Sequence, residues 1–164
     1  MENKNFTIRP AEARDAARLR ELLEQICLLH VEGRPDIFQP AGKYTIDDIV
    51  AMMGDEQKPI FVADTGDDVA GYVFCQFKRP HNPVMRDYLN LYIDDLCVDT
   101  KYRRMGVGRA LFDRVRQLAE ERGVYNIDLN VWAFNESAIA FYRSLGMQPS
   151  RMYMELIVGE DGQK

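Results

Sequence analysis

The stretch that decides the fold is Tyr88-Leu89-Asn90-Leu91-Tyr92-Ile93-Asp94-Asp95-Leu96-Cys97-Val98. Its aliphatic positions run Leu89, Leu91, Ile93 and then Leu96, Val98, so their parity changes from odd to even across Asp94-Asp95. On a strand, a one-residue slip turns every later side chain to the opposite face, unless a bulge absorbs the extra residue. Leu96-Cys97-Val98 still has strand character. The expectation is therefore a β-bulge near Asp94 to Leu96. The alternative is a strand that ends at Asp94 and gives way to a loop. A bulge breaks the ladder and leaves backbone donors free.

Just downstream, Arg103-Arg104-Met105-Gly106-Val107-Gly108 lies between that strand and a helix expected over Arg104 to Arg122. The helix carries Val107, Leu111, Val115, Leu118 and Ala119 on one face and stops at Gly123. Small residues let the backbone approach a ligand, and the first turn of a helix offers free N–H groups and a positive dipole end. This is an anion site, most naturally for a pyrophosphate. Charge agrees: residues 101–122 hold seven basic and three acidic side chains, a local +4 inside a chain of net charge −5. The alternative is a solvated helix face with ordinary arginines. The motif is neither the G-x-G-x-x-G of dinucleotide binders nor a Lys-Ser/Thr phosphate loop.

Around this centre the remaining elements fall into order. Phe6-Thr7-Ile8-Arg9 suits a short first strand ending at Pro10. Leu19, Leu22, Leu23, Ile26 and Leu29 recur at three-and-four spacing between Asp15 and about His30, one stripe of a helix. Gly33, Pro35, Pro40 and Gly42 break regular structure. Thr45 can cap a short second helix, with Asp47 and Asp48 near its N-terminal dipole. Pro59 to Ala63 and Val69 to Phe77 read as a hairpin across Asp64–Asp68. Ile127, Leu129 and Val131 mark a further strand, parallel to the central one through a right-handed crossover. Asn135 caps a last helix with stripe Ala138, Phe141, Tyr142 and Leu145. Met152 to Val158 reads as a closing strand.

The chain is 164 residues long with 46% apolar and 29% charged residues. That length suits one domain spanning residues 1–164, with no linker, repeat or low-complexity tract. The longest apolar runs, such as Ile60 to Ala63, fall far short of the about 20 residues a bilayer span needs. Met1-Glu2-Asn3-Lys4 lacks the apolar core of a secretory signal. The acidic balance argues against nucleic-acid and anionic-membrane partners, because phosphate contacts need basic surface. Cys27, Cys75 and Cys97 are isolated and odd in number. With no Cys-x-x-Cys and no Cys/His cluster, neither a disulfide scaffold nor a metal site is expected. Each cysteine reads as a small buried hydrophobe in a reducing cytoplasm.

Together these elements resemble the GNAT superfamily of N-acetyltransferases, most strongly from about Tyr88 to Gly146. The resemblance implies an α/β (α+β) fold: a mixed, mostly antiparallel central sheet with a bulged, splayed strand pair and flanking helices. Arg103-Arg104-Met105-Gly106-Val107-Gly108 matches the family's Q/R-x-x-G-x-G/A acetyl-CoA motif, which continues into Arg109. Leu96-Cys97-Val98 sits where the family's bulged strand pairs its backbone with the pantetheine arm. Asn135 matches the Asn before the last helix, and Tyr142 the general-acid Tyr on it. Ile93-Asp94-Asp95-Leu96-Cys97-Val98 is similar to the E-D-L-x-V run of polyamine-type members, where the first acidic residue is often considered the base. Here that position is Asp94, one methylene shorter.

Acetyl transfer from a thioester to an amine makes chemical demands that these residues meet. The pyrophosphate needs an anchor, the backbone from Arg104 to Arg109. The carbonyl oxygen needs a donor, and the freed N–H of Leu96 is the candidate. The amine must lose a proton, to Asp94 or Asp95 through a relaying water. Tyr142 can protonate the leaving thiolate. No covalent enzyme intermediate is required, so Cys97 need not be a nucleophile. The acceptor, a small-molecule or peptide amine, is expected between residues 30–42 and 78–86. His30, Glu32, Arg34, Asp36, Phe38, His81 and Tyr88 could line it, although each also reads as a surface or packing residue. Dimers are common for this fold. Two other readings stand beside this one: a non-catalytic acyl-CoA-binding sensor, and a different nucleotide-binding domain.

Overall fold

A computed structural model describes residues 6–159. Met1–Lys4, read above as lacking a leader, lie outside them. Five strands form one sheet in the order β1-β2-β3-β4-β5: β1 Thr7–Pro10, β2 Ile60–Asp64, β3 Val69–Lys78, β4 Asn90–Val98 and β5 Asn126–Leu129. The first four are antiparallel, and β4 and β5 are parallel. Four helices flank them: α1 Ala16–Gly33, α2 Ile46–Met53, α3 Val107–Glu121 and α4 Glu136–Ser144.

The sheet separates two cores. On one face Leu19, Leu22 and Leu23 of α1 and Ile49 of α2 pack on Val62, Tyr72, Phe74 and Cys97. On the other, Leu111, Phe112, Val115 and Leu118 of α3 pack on Phe61, Val73, Leu91 and Ile93. β3 is buried almost along its length because helices cover both its faces. Thr45 caps α2 as expected: its hydroxyl accepts from Asp48 N–H at 3.1 Å, and the Asp48 carboxylate accepts from Thr45 N–H at 2.8 Å. Leu111 is fully buried. Leu111→Ala should therefore destabilise the chain by about 2–5 kcal/mol. Urea unfolding checks this as a lower midpoint at unchanged slope.

The bulge is present. Phe74 pairs with Asp95 and Cys75 with Ile93, which leaves Asp94 as the extra residue. Leu91, Ile93, Leu96 and Val98 consequently all pack toward the α3 core despite their change of parity. Three elements differ from expectation. α3 begins at Val107 rather than Arg104, because Arg104 (φ 64°) and Gly106 (φ 81°) are left-handed and no helix can run through them. β5 ends at Leu129, before Val131. Met152–Val158 forms no strand: Met152, Tyr153, Met154, Leu156 and Val158 are all more than four-fifths exposed. No helix among the described residues is long and apolar enough to cross a membrane.

Candidate active site

The β4–β5 ladder stops at Ile93 opposite Leu129, yet β4 runs on to Val98. From Asp94 onward the β5 side of β4 is therefore an open gap. Asp99 N–H donates to Ala70 O at 2.9 Å, toward β3. Hydrogen-bonding direction alternates along a strand, so the N–H groups of Cys97 and Asp95 also face β3. Those of Leu96 and Val98 face the gap. Leu96, singled out above for its backbone donor, thus has it on the open side. In the gap the Val98 carbonyl accepts from Arg103 Nε at 3.4 Å.

The Arg103–Arg109 turn follows at the end of this gap. A side chain at Gly106 would meet no atom within 4 Å, so its surface is open, whereas a Cβ on Gly108 would come within 3.1 Å of the Phe141 ring. The two glycines therefore do different things. Gly106 supplies the left-handed turn and an open approach, and Gly108 lets α3 pack on α4 as well as opening the helix. Asn135 caps α4, accepting from Ala138 N–H at 3.1 Å. Its capping function alone accounts for that contact.

The bulge puts both carboxylates toward the α1/α2 face. Asp94 Oδ2 accepts from Lys43 Nζ and from the Tyr44 hydroxyl, each at 2.9 Å. Asp95 lies beside Tyr72, a ring of the α1/α2 core. Burial pushes the Asp95 carboxyl up to about 6. Lys43 pulls it back and the Asp94 charge adds to the rise. Tyr142 comes from the opposite side of the sheet, its ring packed with Phe141 on the α3 core. Burial raises its pKa, as does the charge of Asp95, so its phenol stays protonated. Burial likewise holds the Cys75 and Cys97 thiols up at about 12. Neither is a thiolate at neutral pH.

The proposed acceptor residues divide. His30 stacks on Phe38 at 5.0 Å, Phe38 meets Trp132 edge-on at 5.3 Å, and Arg34 lies 5.6 Å over Trp132. Arg34 also pairs with Asp36 and Glu155. Phe134 closes this cluster by packing against Gly33, where a Cβ would come within 2.2 Å of the ring. Glu32, Gly33, Phe134 and Asn135 line a cavity of about 360 Å³ at the same end. Tyr88 instead packs on Tyr125, away from this cluster, and His81 is exposed in the preceding loop. Lys43, Tyr44, Tyr72, Trp132 and Phe134 were not candidates from sequence. Among the described residues no group of His, Cys, Asp or Glu gathers as metal ligands.

The frame is thus a bulged strand splayed from its parallel neighbour, with a glycine turn leading into a helix at its end. The family model described as "Acetyltransferase (GNAT) family" matches residues 20–147. The chain belongs to that family. It is 37% identical over 70 residues to the [ribosomal protein bS18]-alanine N-acetyltransferase of Escherichia coli (strain K12), a match over 43% of this chain and 47% of that one. The match thus spans about half the length of that curated relative. Among solved structures, a tetramutant of the BH1408 protein from Bacillus halodurans is 32% identical, with TM-score 0.88 over 93% of this chain and 99% of that one. The aminoglycoside N-acetyltransferase AAC(6')-Iy in complex with CoA shares the fold, with TM-score 0.71 over 93% of each chain at 13% identity.

Proposed function

We propose that this chain is an acetyl-CoA-dependent N-acetyltransferase that passes the acetyl group directly to a small-molecule or peptide amine within a ternary complex. The observation that carries this reading is the gap beside β4, lined by the N–H groups of Leu96 and Val98 and ending at the open Gly106 turn. Acetyl-CoA supplies an activated acyl group. Backbone of Leu96, Cys97 and Val98 would hold its pantetheine arm. The Arg103, Arg104, Met105, Gly106, Val107, Gly108 and Arg109 segment, with Asn135, would hold the rest. The Leu96 N–H, fixed by the sheet, would stabilise negative charge at the carbonyl oxygen. Asp94 takes the proton of the acceptor amine, with Asp95 beside it as a second carboxylate of raised proton affinity. Tyr142 gives a proton to the departing sulfur. The protonated state of Cys75 and Cys97 supports direct attack rather than a thiol nucleophile. Three free cysteines support a cytoplasmic chain.

Calorimetry with acetyl-CoA tests the donor site. Gly106→Val places a β-branched residue at φ 81° against the open approach. Losing one anion contact of ~1.5–3 kcal/mol should raise the Kd about tenfold or more. An unchanged Kd in a variant with wild-type circular dichroism removes this turn from the account.

A further inference from the structure

We propose that Lys43 is itself an acceptor, occupying the amine subsite and receiving an acetyl group from the same chain that carries it. This rests on the transfer reading above. The ammonium of Lys43 donates to Asp94 Oδ2 at 2.9 Å, on the bulge residue proposed there to take the acceptor's proton. It arrives from a loop that is neither helix nor strand between the turn after α1 and the cap of α2. Asp94 stands two residues from Leu96, whose N–H faces the gap. On the transfer reading, an ε-amine of the chain therefore already holds the carboxylate that an amine from outside would have to meet.

The other lysines of the described residues are placed differently. Lys58 lines the same pocket as Asp94 but pairs with Asp55, Lys101 pairs with Asp68, and Lys78 lies over the Tyr92 ring. Lys43 and Lys58 side chains are equally exposed, at 44% each, so exposure cannot select one over the other. Position beside Asp94 can.

The step balances. Asp94 takes a proton from the ammonium, the freed nitrogen bonds to the thioester carbonyl carbon, and the carbon–sulfur bond breaks. The departing thiolate takes a proton from Tyr142, and the second proton lost by the nitrogen as the amide forms passes through solvent to restore the Tyr142 phenol, leaving Nε-acetyl-Lys43 and CoA. The amide is neutral and cannot form an ion pair, so acetylation releases Asp94 for an external cation.

The full chain is incubated with acetyl-CoA and no other amine, and acetylation of Lys43 and Lys58 is quantified by peptide mapping. Lys43 should react ~10²-fold faster or more, as expected for an assisted proton transfer. Its first-order rate should not depend on protein concentration, and Asp94→Asn should abolish the selectivity. Equal rates at Lys43 and Lys58, or a rate proportional to protein concentration, overturns the proposal. Without donor, Lys43→Gln should bind butylammonium a few-fold more tightly than wild type by calorimetry, and Lys43→Arg, which keeps the charge, should match wild type. Equal affinity in all three overturns occupancy of the subsite. A chain that acetylates butylamine but leaves Lys43 bare overturns this inference alone. One that binds acetyl-CoA and modifies neither overturns the transfer reading with it.

Discussion

Tyr142→Phe is expected to lower kcat by ~10²–10⁴-fold, the usual worth of a general acid, while acetyl-CoA affinity stays near wild type. The reason is where the charge develops. The thiolate exists only as the carbon–sulfur bond breaks, so a proton held ready for it acts on the rate and not on the ground state. Two features of the site agree with this role. The phenol is held protonated by burial and by the neighbouring charge of Asp95. Its hydroxyl makes no hydrogen bond to another described residue, so no structural partner competes for it. The ring packs with Phe141 on the α3 core, and phenylalanine keeps that packing. A folded Tyr142→Phe enzyme with wild-type kcat would assign the residue to the core alone.

The second large effect concerns the carboxylate pair. A base must be ionised to accept a proton. With Asp95 pushed up to about 6, wild-type kcat/KM should rise with pH through that region and fall below it. Asp94 and Asp95 share one side of the bulge, and the Asp94 charge adds to the rise of the Asp95 carboxyl. Asp95→Asn removes the carboxyl that burial pushes up and should take the limb near pH 6 away. Asp94→Asn removes the group that meets the amine and should depress kcat/KM most near neutral pH, by ~10²-fold or more. That loss should recover as pH rises and the amine arrives already deprotonated. Rate profiles of both variants with one identified amine decide the matter. If Asp94→Asn keeps the wild-type profile and Asp95→Asn loses the limb, the roles are exchanged. If neither profile changes, solvent is the base.

The bulge was legible because five aliphatic residues record their facing in their parity, and a shared core demands one answer. The glycine turn was legible because only certain residues permit its backbone. The start of α3 was not, since periodicity says where a stripe lies and not where φ turns positive. Arg104 carries no mark of its left-handed conformation. Met152–Val158 has strand composition, but pairing depends on a partner edge that composition does not name. Asp94 and Asp95 were treated as alternatives because alternation puts neighbours on opposite faces. The bulge that alternation itself revealed brings them to the same face. Lys43 lies 51 residues from the carboxylate it meets, and no local pattern joins them. The aromatic cluster of His30, Phe38, Trp132 and Phe134 was half visible: the loop after α1 was a candidate wall, but its contact with the β5–α4 segment is set by the path of the chain.

The most direct test of the account is CoA release measured over a panel of alkylamines and peptides with free N-termini, each at several acetyl-CoA concentrations. Direct transfer in a ternary complex predicts release that continues beyond one equivalent per chain only when an amine is present. Double-reciprocal lines should intersect, with acetylated amine formed in step with CoA. A chain that binds acetyl-CoA tightly at the Arg103–Arg109 turn, yet releases no CoA above background with any amine, would contradict the account and mark the fold as an acyl-CoA sensor.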